Sequence, residues 1–328
     1  MSDALMTPSP AASDLGRSAC VPSSAPVWER VGLPRHVEVE TSQYCNRRCM
    51  WCPNGEGPVR RRQELMDWAL FTGVLRELSG LGYAGWLAFH NYNEPLLNPR
   101  LGEELDTGRV MLPAARPAIF TNGDVLTADR LHELVERGVR YVRVTRYPHR
   151  ADTPPSADSV NRWISRAGLA DLGWRHRPVR QGLAASTVYA GTRIEVISPN
   201  VPGTHNSRGG TVTVLPGLAA ARTEPCWMTA TTAAIDYRGQ FKMCCCVYPE
   251  PGSGHDQYVL GNLRDASFAL NADLARETYL EALLAAMWTA GLDSPGGVLE
   301  APRPPALRPP GPNRRVRSTS CSMRSRCG

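Results

Sequence analysis

Between His36 and Ile197, strand-like runs and helical stretches take turns along the chain, and that rhythm restricts the fold more than any other feature. His36-Val37-Glu38-Val39-Glu40-Thr41 alternates as a half-buried strand does. Leu65, Leu70, Phe71, Val74, Leu75 and Leu78 recur at helical spacing, Gly80 closes that helix, and Trp86-Leu87-Ala88-Phe89-His90 is the next strand. A second unit repeats the pattern. Ala118-Ile119-Phe120 is its strand, Thr127 a helix N-cap, Leu131, Leu134 and Val135 one apolar face, Gly138 a stop, and Val142-Arg143-Val144 the strand that follows. A third helix is expected near Val160 to Ile164, and further strands at Ile194 to Ile197 and Val212 to Leu215. Such succession implies an α/β fold with a parallel sheet, closed or partly closed, and functional groups on the loops after the strands.

The first of those loops is Tyr44-Cys45-Asn46-Arg47-Arg48-Cys49-Met50-Trp51-Cys52. Three thiolates can hold three irons of a cubane iron–sulfur cluster and leave the fourth open to a ligand, as a catalytic zinc site keeps one position unfilled. A zinc site or buried thiols are the plainer alternatives. Ten cysteines, with no signal peptide and no long apolar run, argue for a soluble, reducing, cytoplasmic setting in which thiols bind metal rather than pair.

A length of 328 residues suits one large domain and a small one. Residues 1–34 are rich in Ser, Ala and Pro and are expected to be a disordered lead-in. The formal charge of +6 misleads, because residues 301–328 hold seven arginines and no acid, which leaves the remainder at −1. That Pro/Arg-rich stretch, about 301–320, has no aromatic residue to stack a base, so a solvated linker is favoured and no nucleic-acid partner is expected. No membrane association is expected either.

The spacing Cys-x3-Cys-x2-Cys, with Trp51 before the last cysteine, resembles the cluster loop of the radical S-adenosylmethionine (SAM) superfamily. Tyr92-Asn93-Glu94-Pro95 resembles the family's Gly-Gly-Glu-Pro segment, with Asn93 in place of a Gly, and Thr121-Asn122-Gly123 resembles its Thr-Asn-Gly turn. The resemblance implies a partial (βα)6 TIM-like barrel over residues 35–220. Cys45, Cys49 and Cys52 would hold a 4Fe–4S cluster that binds SAM, with Trp51, Glu94 and Asn122 as SAM-binding residues. An external one-electron reductant of flavodoxin or ferredoxin type would be a partner.

Beyond residue 220 the rhythm stops and cysteines return. Cys226-x12-Gly239-x4-Cys244 resembles the signature of the SPASM and twitch extensions, small cysteine-rich domains that attach auxiliary clusters to radical SAM barrels; Gly239 permits the hairpin turn between the two cysteines. Asn206 to Gly210 and Gly261-Asn262-Leu263 resemble the flanking stretches. The resemblance assigns residues 221–328 to such a domain, with Cys226, Cys244, Cys321 and Cys327 on one auxiliary 4Fe–4S cluster. Strand alternation would put Cys246 on the face of Cys244 and Cys245 opposite.

Compact relatives in that family act on secondary alcohols of aminocyclitols and aminoglycosides. The expectation is an enzyme that abstracts hydrogen from a carbinol carbon of such a small molecule. Spare thiols at Cys245 and Cys246 tip the reading to redox-neutral epimerisation, with Cys246 as hydrogen donor. Dehydrogenation of the alcohol, peptide (RiPP) maturation and a plain iron–sulfur electron carrier are the alternatives. Glu38, Glu40 and Asp236 are possible amine contacts without an assigned role.

Overall fold

A computed structural model describes residues 33–56, 64–148, 150, 153–180, 182–201, 208–212, 228–265 and 267–268. Residues 1–32 of the lead-in, Val212-to-Leu215 beyond its first residue, Cys226, Cys321, Cys327 and the Pro/Arg-rich stretch lie outside the described residues. In chain order the strands are β1 (His36–Val39), β2 (Trp86–Ala88), β3 (Arg116–Thr121), β4 (Tyr141–Thr145), β5 (Arg175–Val179), β6 (Gly182–Tyr189), β7 (Thr192–Pro199), β8 (Thr232–Ile235), β9 (Gln240–Lys242) and β10 (Val259–Asn262). They form one mixed sheet in the order β10-β9-β8-β1-β2-β3-β4-β7-β6-β5. Its centre, from β8 through β1, β2, β3 and β4 to β7, is parallel. Antiparallel strands extend both edges.

This is the expected α/β open barrel, with one difference in how it is assembled. The strand beside β1 comes from residues 232–235, after the βα rhythm has ended, with Glu38 opposite Ala234. The cysteine-rich segment therefore continues the same sheet. Strands β5 and β6 form a hairpin on β7 that apolar periodicity did not announce, because β5 is an edge strand with exposed Arg175, His176 and Pro178.

Helices α1 (Pro53–Glu56), α2 (Trp68–Gly80), α3 (Leu101–Met111), α4 (Ala128–Glu136), α5 (Ala157–Arg166) and α6 (Met228–Thr231) complete the described elements. The Asp67 side chain caps α2 by accepting from the Leu70 N–H at 3.0 Å, so that helix starts at Trp68. Leu65 instead makes an isolated bridge with Ser42. Thr127 caps α4 as its sequence position suggests, at 3.2 Å from the Arg130 N–H.

Strand alternation gives the sheet two chemically different faces. Val37, Val39, Leu87, Phe89, Ile119, Val142, Val144, Ile194 and Val196 join the α2 residues Leu70, Phe71, Val74, Leu75 and Leu78 in one core. Each fully buried side chain of this kind contributes about 1.5–3 kcal/mol. The other face has a small cluster of Ala88, Ala118 and Tyr141, with Trp86 and Phe120 against it. It also carries buried His36, Glu38, Arg143 and Glu195, which alternate with the core residues. An apolar face under helices and a polar face opposite is the division of a barrel with a working lumen.

Candidate functional site

The chain leaves β1 at Val39 and turns back on itself between Cys45 and α1. The Cys52 N–H donates to the Cys49 carbonyl at 3.0 Å and the Gly55 N–H to the Cys52 carbonyl at 2.8 Å. A Cβ on Gly55 would sit 2.3 Å from the Cys49 oxygen, so this close approach requires glycine. All three thiols are half-buried. Burial, reinforced by neighbouring negative groups, pushes Cys45 up to about 11 and Cys49 up to about 12. As isolated thiols they would stay protonated at neutral pH. A cationic iron–sulfur cluster would supply the charge that makes three thiolates tolerable together, and the three-sulfur donor set fits such a group.

A carboxylate 72 residues beyond the last cysteine secures this loop. Asp124 accepts from Arg47 Nε at 2.6 Å and from a second Arg47 nitrogen, from Asn46 Nδ2 at 3.0 Å and from Arg146 Nη1 at 3.3 Å. Asn122 Nδ2 donates to Asn46 Oδ1 at 2.8 Å. Asp124 follows the Thr-Asn-Gly turn directly, but nothing in sequence order connects it to Arg47.

Glu94 occupies the position expected of a SAM ligand and is 2 % exposed. Its Oε1 accepts from Thr121 Oγ1 at 2.6 Å and from the Leu96 N–H at 3.2 Å, and its Oε2 from the Asn122 N–H at 2.7 Å. Burial nevertheless raises it to about 6. Glu94 thus binds the turn after β2 to the turn after β3. Asn93 keeps an ordinary backbone φ, and its side chain donates to Ser42 Oγ at 3.2 Å and accepts from the Asn91 N–H at 3.0 Å. Trp51 is buried with its ring 5.5 Å from that of Tyr147.

The β8–β9 hairpin turns at Gly239, whose φ is +87°, as the glycine in that motif suggests. Asn262 Nδ2 donates to the Arg238 carbonyl at 3.3 Å and the Leu263 N–H to the Gly239 carbonyl at 2.9 Å, which closes β10 on the turn. β9 ends at Lys242, however, and Cys244 to Cys246 form a turn, with the Val247 N–H donating to the Cys244 carbonyl at 3.1 Å. The alternation that would have put Cys245 and Cys246 on opposite faces does not apply there. This is a correction, and its cause is that the strand stops two residues early.

Arg208 Nη1 lies 3.7 Å from Cys246 Sγ. Hydrogen bonds from the Cys244 and Cys245 thiols, and the Arg208 charge, hold Cys246 well below the ordinary thiol range. Arg208 itself has a left-handed φ of +50°, and His255 pins its turn. The Tyr248 N–H donates to His255 Nδ1 at 3.0 Å, so Nε2 carries the proton and donates to the Gly209 carbonyl at 2.9 Å.

The same loop reaches the polar face. Asn91 Nδ2 donates both to the Cys245 carbonyl at 3.1 Å and to Glu38 Oε2 at 2.9 Å, while Lys242 Nζ donates to Asn91 Oδ1 at 2.7 Å. Of the three carboxylates without an assigned role, Glu38 belongs to this network. Glu40 accepts from the Tyr92 N–H, and Asp236 from backbone and Arg238 within its own turn. Among the described residues no helix is long and apolar enough to cross a membrane.

Residues 39–170 match the profile described as the radical SAM superfamily. The S-adenosyl-L-methionine-dependent 2-deoxy-scyllo-inosamine dehydrogenase of Niallia circulans is 42% identical over 113 residues, which are 34% of this chain and 44% of that protein. The PqqA peptide cyclase of Streptomyces rochei is 32% identical over 118 residues, 35% of this chain and 30% of that one. The chain thus spans less than half the length of the curated relatives it matches. A crystal structure of BtrN in complex with AdoMet and 2-DOIA superposes with a TM-score of 0.53 at 25% identity, covering 77% of this chain and 87% of that one.

Proposed function

Residues 39–170 are a radical SAM domain, and from that premise we propose that the chain is a SAM-dependent dehydrogenase of a secondary alcohol on an aminocyclitol. The observation that carries the reading is the 42% identity to a 2-deoxy-scyllo-inosamine dehydrogenase. It revises the expectation of epimerisation.

In this reading Cys45, Cys49 and Cys52 hold the 4Fe–4S cluster, and Trp51, Glu94 and Asn122 build the wall around SAM. When bound, such a cluster would supply the electron that cleaves the SAM sulfonium, and with it the radical chemistry needed to remove a carbinol hydrogen atom. Glu94 keeps the SAM wall and the third-strand turn in one piece, and the Asp124 ion pairs keep the cysteine loop against them. Oxidation of the alcohol to a ketone would further release the hydroxyl proton to solvent and one electron. The acceptor we propose is an auxiliary iron–sulfur cluster that Cys244 would hold with Cys226, Cys321 and Cys327, in a twitch-type arrangement over residues 221–328. Cys245 and Cys246, which follow Cys244 in its turn, would belong to the surroundings of that cluster rather than act as hydrogen donors. The reductant for SAM cleavage is an external one-electron carrier.

The test is the mass of the product from an aminocyclitol in deuterium oxide. Dehydrogenation yields a ketone two mass units lighter than the substrate before exchange at the adjacent carbons. A product of unchanged skeleton carrying one solvent deuteron at an inverted carbon would overturn it in favour of epimerisation.

A further inference from the structure

Three side chains on the polar face have no role in the chemistry above. His36 Nδ1, His36 Nε2 and His90 Nε2 are buried and have no hydrogen-bond partner among the described residues. A buried polar atom left unpaired costs about 1–3 kcal/mol, so three together around one carboxylate ask for a ligand. His36, Glu38 and His90 each bring one atom capable of accepting to the same place, and these three atoms lie within 4.8 Å of one another, although the Glu38 carboxylate also accepts from Asn91. His36 and Glu38 are 4% and 3% exposed. The His90 ring stacks on Phe120 at 4.3 Å, which fixes its orientation.

We propose that His36, Glu38 and His90 form a recognition site for a primary ammonium group, which in the dehydrogenase reading is the amine of the aminocyclitol. An ammonium has three N–H donors, and this site presents three acceptors. Acceptors about 2.8 Å from one nitrogen in tetrahedral directions are about 4.6 Å apart, whereas ligands at the zinc distance of about 2.0–2.1 Å are about 3.3 Å apart. The His36 Nε2 to Glu38 Oε1 separation is already 3.9 Å, and the trio spreads to 4.8 Å at most, which suits the ammonium and is wide for zinc.

Charge gives the same preference. Arg143, Arg208 and Lys242 all act on His90, and a divalent metal would meet them with twice the repulsion of a monovalent group. Lys242 and Arg208 are in turn held by Asn91 and Cys246. Burial keeps both imidazoles neutral, with His36 lowered to about 4, so they offer lone pairs. Burial also raises Glu38 to about 7, and an arriving cation would return it to its carboxylate form.

This inference rests on the proposed reaction only for the identity of the amine. The experiment is therefore equilibrium binding to anaerobically reconstituted protein with SAM and no reductant. Its probes are an aminocyclitol, the matched cyclitol with hydroxyl in place of the amine, cyclohexylamine and cyclohexanol. The wild type should prefer each amine over its alcohol by about tenfold or more. Glu38→Gln should remove that preference, and His36→Gln and His90→Gln should each reduce it severalfold while the visible absorbance of the cluster stays unchanged. Equal binding of amine and alcohol to the wild type would overturn the site. So would one equivalent of zinc retained by the wild type and lost in His90→Gln. Cyclohexylamine bound with preference while neither cyclitol binds would leave the ammonium site standing and remove the aminocyclitol substrate.

Discussion

Replacing Asp124 by Asn should loosen the cysteine loop without disturbing the barrel, and its size follows from the contacts. The carboxylate meets Arg47 through two hydrogen bonds, Asn46 through one and Arg146 through one. An Asn side chain has a single acceptor oxygen, so one edge of the Arg47 fork faces an amide donor, and two guanidiniums lose their counter-ion. Hydrogen bonds to charged groups contribute about 1.5–3 kcal/mol when sheltered, and exposed pairs about 0.2–1. Side chains that are 21% and 26% exposed lie between those limits, and we take about 2 kcal/mol for the loss. That corresponds to about a 30-fold larger population of the open loop.

The assay is the rate at which an iron chelator strips the reconstituted cluster, followed by its absorbance. Asp124→Asn should lose iron about 30-fold faster, with less effect at high salt because screening already weakens the wild-type pairs. Glu133→Gln, which removes an exposed pair with Arg130 on α4, is the control and should change nothing. Burial raises Asp124, but the hydrogen bonds and charge of Arg47 outweigh it and hold the group below its ordinary value. Its contribution is present above about pH 4 and lost as pH falls through the lowered folded value, so the effect should be flat from pH 6 to 8. A stripping rate within threefold of wild type would refute the argument that Asp124 holds the loop.

Three further outcomes follow from the same geometry. Alanine at Cys45, Cys49 or Cys52 should each remove about four irons per chain and abolish reductive SAM cleavage, measured as 5'-deoxyadenosine. Gly239→Ala puts a Cβ 2.8 Å from Leu70 Cδ2 at a φ of +87°; it should cost about 2 kcal/mol and lower Tm by about 4–8 °C in the thermal melt. His36 is buried neutral with its value depressed to about 4, so the unfolded chain binds more protons below about pH 6.5. His36 should therefore contribute a loss of up to about 3 kcal/mol as pH drops from 6.5 toward 4; because His90 is buried neutral as well, His36→Gln should lessen the loss between pH 7.5 and 5 in urea titrations rather than abolish it.

Much of the fold was legible because its signals are local. Apolar residues at period two or period 3.6 mark strand and helix wherever one face is buried, and this recovers β1 to β4, β7, α2, α4 and α5. Helix α3 leaves no clear pattern: Gly102 and Gly108 interrupt it, and the carboxylate of Glu104 on its buried side is held by Asn98 and Arg100 of the preceding turn. The cysteine loop was legible for a different reason, since three cysteines within eight residues need no tertiary contact to be recognised.

What the sequence by itself determined is the alternation of strands and helices through the parallel centre of the sheet, the barrel class and the cysteine triplet that follows β1. Tertiary structure alone decided that residues 232–235 lie beside β1, that Asp124 meets Arg47, that Cys244 to Cys246 are a turn, and that His36, Glu38 and His90 converge. Apart from the turn, which is local, each depends on residues brought together from distant parts of the chain. Such contacts leave no period in the sequence, because the free energy that selects them is gained only once the whole sheet has closed around its polar face.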